Sequence, residues 1–242
     1  MVAIPDSLLA IDIETASPFR NPDSGSFDNT ACFELVAVGV GYQAGPEEPI
    51  QTEVFFRKGG WDAKWTAMLL EQVTEWCSDH QASATLTYNG SKFDEIHLKT
   101  WAKEIEYAGL WNNAVNAISS LFDSHIDLNT IAVNKYQNRI ENWRTAIKLE
   151  QLCQWENITV SDTQYLEYSI GDLPNSEEIE GEYVTNVHVG TVLGEAYVEQ
   201  IIKQSSNQEL LPELQRLLYD YTVSDIEPLF KLARNFSDDS QL

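Results

Sequence analysis

The run Leu8-Leu9-Ala10-Ile11-Asp12-Ile13-Glu14-Thr15 constrains this chain more than any other stretch. It reads as a short apolar strand with two carboxylates near its end. Side chains alternate faces along a strand, so Asp12 and Glu14, two residues apart, share one face. Like charges side by side repel, and nothing in a hydrophobic strand calls for them. A hard divalent cation between them would make the pair favourable. An acidic strand end facing water is the other reading of the same residues.

Periodicity sorts the rest of the chain. Residues 16–31 carry Ser, Pro, Asn, Asp and Gly without a repeat and read as a loop. Cys32 to Tyr42 is apolar and β-branched, a buried strand. Gly45-Pro46-Glu47-Glu48-Pro49 is a turn, and Glu53-Val54-Phe55-Phe56 a third strand, so the first three strands form an antiparallel meander. Trp61, Trp65, Met68, Leu69, Val73 and Trp76 recur at helical spacing with Asp62 as the cap, a stripe expected to pack on the sheet. Ala84 to Asn89 is a short strand, Asp94 to Glu106 a helix, and His125-Ile126-Asp127-Leu128 a strand running into a helix. Ala146 to Trp155 is expected to be helical, residues 157–182 a solvated connection, and roughly 182–202, 208–220 and 222–234 helices. Strands first, then strands alternating with helices, then helices predicts an α/β mixed sheet with helices on its faces.

Composition sets outer limits. The chain has 242 residues, of which 43% are hydrophobic, including seven Trp, ten Tyr and nine Phe, enough for a sizeable core. No apolar run approaches the roughly 18 residues that span a bilayer, so no membrane attachment is expected. The N-terminus lacks a basic region before an apolar run and does not read as a secretory signal. Cys32, Cys77 and Cys153 are scattered and form no C-x-x-C pair, as expected of reduced core residues in a cytoplasmic protein. The net charge of -23 repels phosphate backbones. Cations bound at carboxylates and a salt-rich, halophilic cytoplasm would both soften that repulsion.

Two further acidic stretches stand out. In Tyr88-Asn89-Gly90-Ser91-Lys92-Phe93-Asp94 a strand ends, Asn89-Gly90 turns the chain, and Phe93-Asp94 opens a helix. Asp94 lies in the first turn, where the helix N-terminus favours an anion, so a cap is its plainest role. In Tyr221-Thr222-Val223-Ser224-Asp225-Ile226 the phenol of Tyr221 and the carboxylate of Asp225 are four apart and share a helix face, beside the inward stripe Ile226, Leu229, Phe230 and Ala233. Asp127 reads as a helix cap. His80, His97, His125 and His188 make no H-E-x-x-H pattern, and neither a G-x-x-x-x-G-K-[ST] loop nor a G-x-S-x-G elbow occurs, which argues against a zinc protease, an ATPase and a serine hydrolase.

Together, D-I-E-T after an apolar strand, Y-N-G-x-x-F-D in mid-chain and Y-x-x-x-D near the end resemble the three motifs of the DEDD (DnaQ-like) 3′–5′ exonucleases. The Tyr of the third motif is similar to that of the DEDDy branch; no His stands four residues before Asp225. The form of the first two looks most like the family-B DNA polymerase proofreading domain and the stand-alone YprB-like nucleases. The resemblance spans about residues 8–234. It implies an RNase H-like fold with a five-stranded mixed sheet, a meander plus parallel strands. It also implies a metal-dependent 3′–5′ exonuclease acting on single-stranded DNA or RNA 3′ ends with two divalent ions, Mg2+ with Mn2+ as a substitute.

On that resemblance Asp12 bridges both metals, Glu14 and Asp225 complete one, and Asp94 holds the other. Tyr221 orients the attacking water, because a phenol of pKa near 10 is a poor base at neutral pH. Thr15, Asn89 and Phe93 contact the terminal nucleotide. A single domain over residues 1–236 is expected, with residues 158–211 as a divergent helical and acidic insertion that shapes access or binds a protein partner, and 237–242 as a flexible tail. The rival reading is a catalytically silent RNase H-like module that scaffolds a partner. The presence of all five of Asp12, Glu14, Asp94, Tyr221 and Asp225 favours activity.

Overall fold

A computed structural model describes residues 4–238 apart from 24, 142–143, 172, 174–178, 180 and 204–208. The N-terminal strand β1 (Leu8–Ala16) pairs antiparallel with β2 (Glu34–Gln43), which pairs antiparallel with β3 (Gln51–Phe56). Helix α1 (Ala63–Asp79) leads to β4 (Ala84–Thr87), which returns parallel to β1 on its other edge. Helices α2 (Asp94–Tyr107) and α3 (Ala114–Ser120) precede β5 (His125–Asp127), parallel to β4. The sheet order β3-β2-β1-β4-β5 is the expected mixed sheet, a meander extended by two parallel strands. Then come α4 (Leu128–Lys135), α5 (Leu149–Trp155) and the short α6 (Asn186–His188). The backbone widens into a π turn at Val189–Leu193 and continues as α7 (Gly194–Lys203), and α8 (Leu210–Asp238) closes the fold.

The alternation along β1 decides what lies on each side. Leu9, Ile11 and Ile13 point into a core with Leu69, Leu70 and Val73 of α1, Leu98, Trp101 and Ile105 of α2 and Ile118 of α3. Leu8 and Ala10 point the other way, toward Ile226, Leu229, Phe230 and Ala233 of α8 and Leu152 of α5. Both faces of the sheet are therefore covered, as parallel strands require.

Helix α8 lies unusually close to the sheet because β2 offers it two glycines. Gly39 pairs with Asp12 and Gly41 with Ala10 on the face that α8 covers. A Cβ on Gly39 would intrude on Thr222 Cγ2 and stand 3.2 Å from Ile226 Cγ1; one on Gly41 would stand 2.8 Å from Ile226 and 2.9 Å from Phe230. Thr222, Ile226 and Phe230 are spaced by four, so one ridge of α8 runs down this glycine track.

Several expectations need correction. The two helices expected over 208–220 and 222–234 are one, because burial of Thr222 and Ile226 on the sheet overrides the weak helix preference of the Thr222-Val223 pair. Pro228 sits inside it. The helix includes Ser237 and Asp238; the rest of the expected tail, 239–242, lies outside the described residues. Only part of the expected stripe is the core face of α1: Leu69 and Val73 are buried and Trp76 packs half-buried against the same core. Thr66, Ala67, Leu69, Leu70, Val73 and Cys77 are buried, whereas Met68 is 44% exposed and Trp65 flanks the packed face. Helix α5 starts three residues later than expected. The 157–182 connection is largely irregular but not simply solvated: Tyr168 and Leu173 are buried against the α7–α8 side of the core. The three cysteines are buried and free, as expected. No helix among the described residues is long and apolar enough to cross a membrane.

Gly39→Ala is expected to cost about 1–3 kcal/mol, the usual penalty of overpacking. Chemical denaturation checks it, and a midpoint equal to that of the parent chain would mean that α8 can lift from the sheet freely.

Candidate active site

Asp12 and Glu14 fall on the sheet face that α8 covers. Their cross-strand partners are Gly39 and Ala37, small residues that leave room for carboxylates. The β1–β2 register shifts between Glu14 and Thr15, so the strand bends directly after the second acid. Because α8 sits so close, Thr222 on the glycine track and Asp225 beside Ile226 reach these acids. Oxygens of Asp12, Glu14 and Asp225 lie within 4.8 Å of one another. Glu14 is 5% exposed, and its Oε1 accepts a 3.0 Å hydrogen bond from Thr222 Oγ1. Thr222 itself is fully buried.

The fourth acid arrives from the other edge of β1. The β1–β4 pairing runs only as far as Ala10 and Leu86. Beyond it, the Ile13 N–H donates to Asp94 Oδ1 at 3.1 Å. Asp94 opens α2 and also accepts from its own backbone N–H, so it is both the expected helix-terminal acid and a strut between α2 and β1. The turn before it is held from β5: Asp127 accepts from Asn89 N at 2.9 Å, Ser91 N at 3.1 Å, Ser91 Oγ and Asn129 N at 3.0 Å. Asp127 is thus the expected cap of α4 and also the anchor of a turn in which Asn89 adopts a left-handed φ of 63°.

Burial and crowding set the electrostatics. The Asp12 carboxyl is pushed well above the usual carboxylate range, by burial first and then by Asp94, Glu14 and Asp225. Burial, then Asp225, pushes Glu14 up to about 8, against the Thr222 hydrogen bond that favours its charged form. Asp94 and Asp225 are each pushed up to about 7, chiefly by burial. The Tyr221 phenol is raised by burial and by Asp225, Glu14 and Asp12, which puts it among the same acids. Among the described residues, no Lys, Arg or His forms an ion pair with any of the four carboxylates. At an effective dielectric of about 20, two charges 4 Å apart repel by about 4 kcal/mol. Three such pairs rival the whole stability of a typical domain, roughly 5–15 kcal/mol. The cluster must therefore carry protons or face cations, and an all-carboxylate donor set suits a hard divalent ion.

The other expected contact residues are placed less openly. Thr15 is buried. Phe93 is half-buried, edge-on to Phe33 at 5.2 Å and 4.4 Å from the His97 ring. The Asn89 Oδ1 accepts from Asn129 Nδ2 at 3.1 Å. Sequence reasoning missed Thr222 and Asn129. Each sits one or two residues from a flagged acid or phenol, but its role appears only once its partner is known.

No protein-family model matches the chain, and no curated protein does. Among solved structures it is similar to the family B DNA polymerase from the hyperthermophilic archaeon Pyrobaculum calidifontis, at 18% identity and a TM-score of 0.50, over 95% of this chain and 24% of the polymerase chain. It is also similar to exonuclease I, at 15% identity and a TM-score of 0.45, over 90% of this chain and 44% of that one. This chain thus spans about a quarter of the polymerase and less than half of exonuclease I. The likeness to the polymerase is one of fold, and the fold is the RNase H-like α/β architecture.

Acids with raised folded-state pKa values contribute stability fully below their ordinary value near 4 and lose it as pH rises through the folded value. With Glu14 near 8 and Asp94 and Asp225 near 7, the metal-free protein is expected to lose thermal stability between about pH 5 and pH 8. Added Mn2+ should raise the melting temperature more at the alkaline end. Melting curves in high salt, with and without Mn2+, check this; curves indifferent to both pH and metal would remove the cluster as a cation site.

Proposed function

We propose that this protein is a metal-dependent 3′–5′ exonuclease that hydrolyses phosphodiester bonds at single-stranded nucleic-acid ends. The observation that carries the reading is the convergence of Asp12, Glu14 and Asp225, with no cationic side chain among the described residues to neutralise them. Asp94 stands against Asp12 from the far side. The RNase H-like fold and the ordered trio of motifs support it, and the polarity rests on the motif resemblance.

Asp12, Glu14 and Asp225 would hold one divalent ion, and Asp12 with Asp94 a second. Bound there, magnesium or manganese would supply Lewis acidity to the attacked phosphate and the attacking water. The chain does the rest by positioning. Thr222 fixes the Glu14 carboxylate with its hydroxyl. Asp94 is fixed by the Ile13 N–H, so its carboxylate cannot swing away from β1. Tyr221, its phenol held protonated by burial and by three nearby carboxylates, hydrogen-bonds the Asp225 side chain and from there would orient the water for in-line attack on phosphorus. Water adds at phosphorus as it loses a proton to solvent, and the P–O3′ bond breaks as O3′ takes one up. The strand keeps a 3′ hydroxyl, and a 5′-mononucleotide leaves. Asn89 and Phe93, beside the Asp94 turn, would meet the terminal nucleotide, and Thr15 would meet it through its backbone.

The test is hydrolysis of 5′-labelled single-stranded DNA and RNA with Mg2+, Mn2+ or chelator, at low and high KCl. A metal-dependent ladder shortening from the 3′ end is expected. Asp12→Ala should abolish it and, by relieving repulsion, raise the metal-free melting temperature above pH 7. Metal-dependent cleavage by that variant would overturn the site assignment, and intact substrate under every condition would leave a non-catalytic module. In the same assay, Tyr221→Phe is expected to lower kcat roughly 10²-fold, as loss of one aligned donor does. An unchanged kcat would remove Tyr221 from the reaction.

A further inference from the structure

Two grooves of similar size open on the surface, and neither is lined by any of the four carboxylates. One, of about 710 Å3, runs along α1 past Glu71 and Glu75 and has no Lys or Arg in its lining. The other, of about 700 Å3, is formed by Phe19, Trp61, Trp65 and Lys58, with Ile202 of α7 as one wall and Asp62 as its single acid. The second is the unusual one in a chain of net charge -23. Of the chain's 15 Lys and Arg, Lys58 and Lys64 are exposed here and the exposed Arg20 adjoins Phe19, whereas Arg57 is buried and faces Glu34 at 3.6 Å.

The aromatic walls are built, not incidental. Arg57 is fully buried, and its guanidinium donates to the carbonyls of Gly60 at 2.8 Å, Leu35 at 2.8 Å and Asp62 at 3.2 Å, and to Thr66 Oγ1 at 3.0 Å. Burying an arginine is costly, and here the donors are used to pin the 57–62 loop. The same guanidinium lies 5.3 Å from the centre of the Trp61 ring. Gly59 lacks a side chain where Trp65 lies against it; a Cβ there would occupy the indole. Lys64 Nζ sits 5.1 Å from the Trp65 ring. Phe19, 70% exposed, meets Trp61 edge-on at 6.3 Å. The indoles are thus fixed in place, with Phe19 as the exposed ring and Lys64 as the exposed cation, which is what sequence-tolerant base stacking needs.

The sheet register sets the distance to the carboxylates. Glu14 pairs with Ala37, and Ala37 with Phe56. Two strand spacings put Phe56 about 10 Å from Glu14, and Arg57 and Lys58 come directly after it. Phe19 is five residues beyond Glu14, so it lies within about 18 Å of it along the chain. That span matches about five stacked nucleotides.

We propose that the groove between Phe19, Trp61 and Trp65 is a base-stacking subsite that holds a single nucleic-acid strand a few nucleotides upstream of the carboxylate cluster. The proposal rests on the nuclease reading for where the strand ends, but not for the groove's affinity, so the two can fail separately. The experiment is binding of a long oligothymidylate, which spans site and groove, and of a short one, which fills the site alone. The full-length protein is used in chelator, read by anisotropy and tryptophan fluorescence, beside cleavage with Mn2+. The long oligomer should quench tryptophan and bind more tightly than the short one. Phe19→Ala, at an exposed side chain, should weaken long-oligomer binding roughly 5- to 150-fold, the range for one stacked base. Lys58→Ala should reduce the salt slope of binding by about 1. Tyr107→Ala, at a 96% exposed ring elsewhere, is the control.

Equal affinity in Phe19→Ala and the parent chain, with tryptophan unquenched, overturns the subsite. If cleavage persists alongside that result, the nuclease reading stands without the groove. Loss of binding in Phe19→Ala with no cleavage by any metal keeps the groove and removes the nuclease. Absence of oligonucleotide binding, together with a dimer in sedimentation that Phe19→Ala dissolves, would give the groove to a second copy and overturn the proposal.

Discussion

The repulsion among four crowded carboxylates, two of them buried and two half-buried, is the constraint around which this molecule is arranged. Asp12, Glu14, Asp94 and Asp225 come from three distant segments, and each is held at the cluster by something other than attraction to its neighbours. Asp94 is tied by the Ile13 N–H, Glu14 by the Thr222 hydroxyl, and Asp225 by the seating of α8 on Gly39 and Gly41. Packing elsewhere must outweigh an interaction that would drive these groups apart. The apolar ridge Ile226, Leu229 and Phe230, all essentially fully buried, lies directly beside the charges it opposes. The apolar and acidic parts of α8 therefore act together, one supplying the energy that the other consumes.

Most of the sheet was legible because its information is local. Alternation in β1, the Gly-Pro turn before β3 and the Asn89-Gly90 break each declare their conformation within a few residues. The pairing of Asp12 with Glu14 on one face came from strand geometry alone. What escaped were the features defined by a partner. Gly39 and Gly41 read as ordinary small residues of a β-branched strand until α8 is laid on them. Thr222 carried no signal of its own beside Tyr221, and it is a buried hydrogen-bond partner of Glu14. The stripe of α1 was read by periodicity as core, and Leu69, Val73 and Trp76 do pack there, but at Trp65 and Met68 the core face shifts to the smaller Thr66 and Ala67. Arg57 drew no notice in sequence, since nothing local marks a cation destined for full burial.

The distribution of positive charge resolves a tension in the composition. An acidic surface and a phosphate-bearing substrate are poorly matched when charge is averaged over the molecule. Binding depends on local fields, and here the few cations are not evenly spread. On the proposed function, the carboxylate cluster would attract phosphate only with divalent ions between, and the aromatic groove would meet bases through their faces, which carry no charge. Both devices would let an acidic surface meet a nucleic-acid strand.

The hydrogen bond between Thr222 and Glu14 joins residues 208 apart in sequence. Its consequence lies in time. At roughly 5–20 residues per second, the ribosome needs on the order of 10–40 s to make the chain between them. For that interval β1 and β2 exist with a bare glycine track and two unopposed acids. Contacts of such long range also form late in refolding, because loop closure must precede them. The cluster is therefore among the last features to assemble. A nascent chain that can already form its meander remains without its fourth carboxylate until α8 docks, so the candidate site and the fold are completed together.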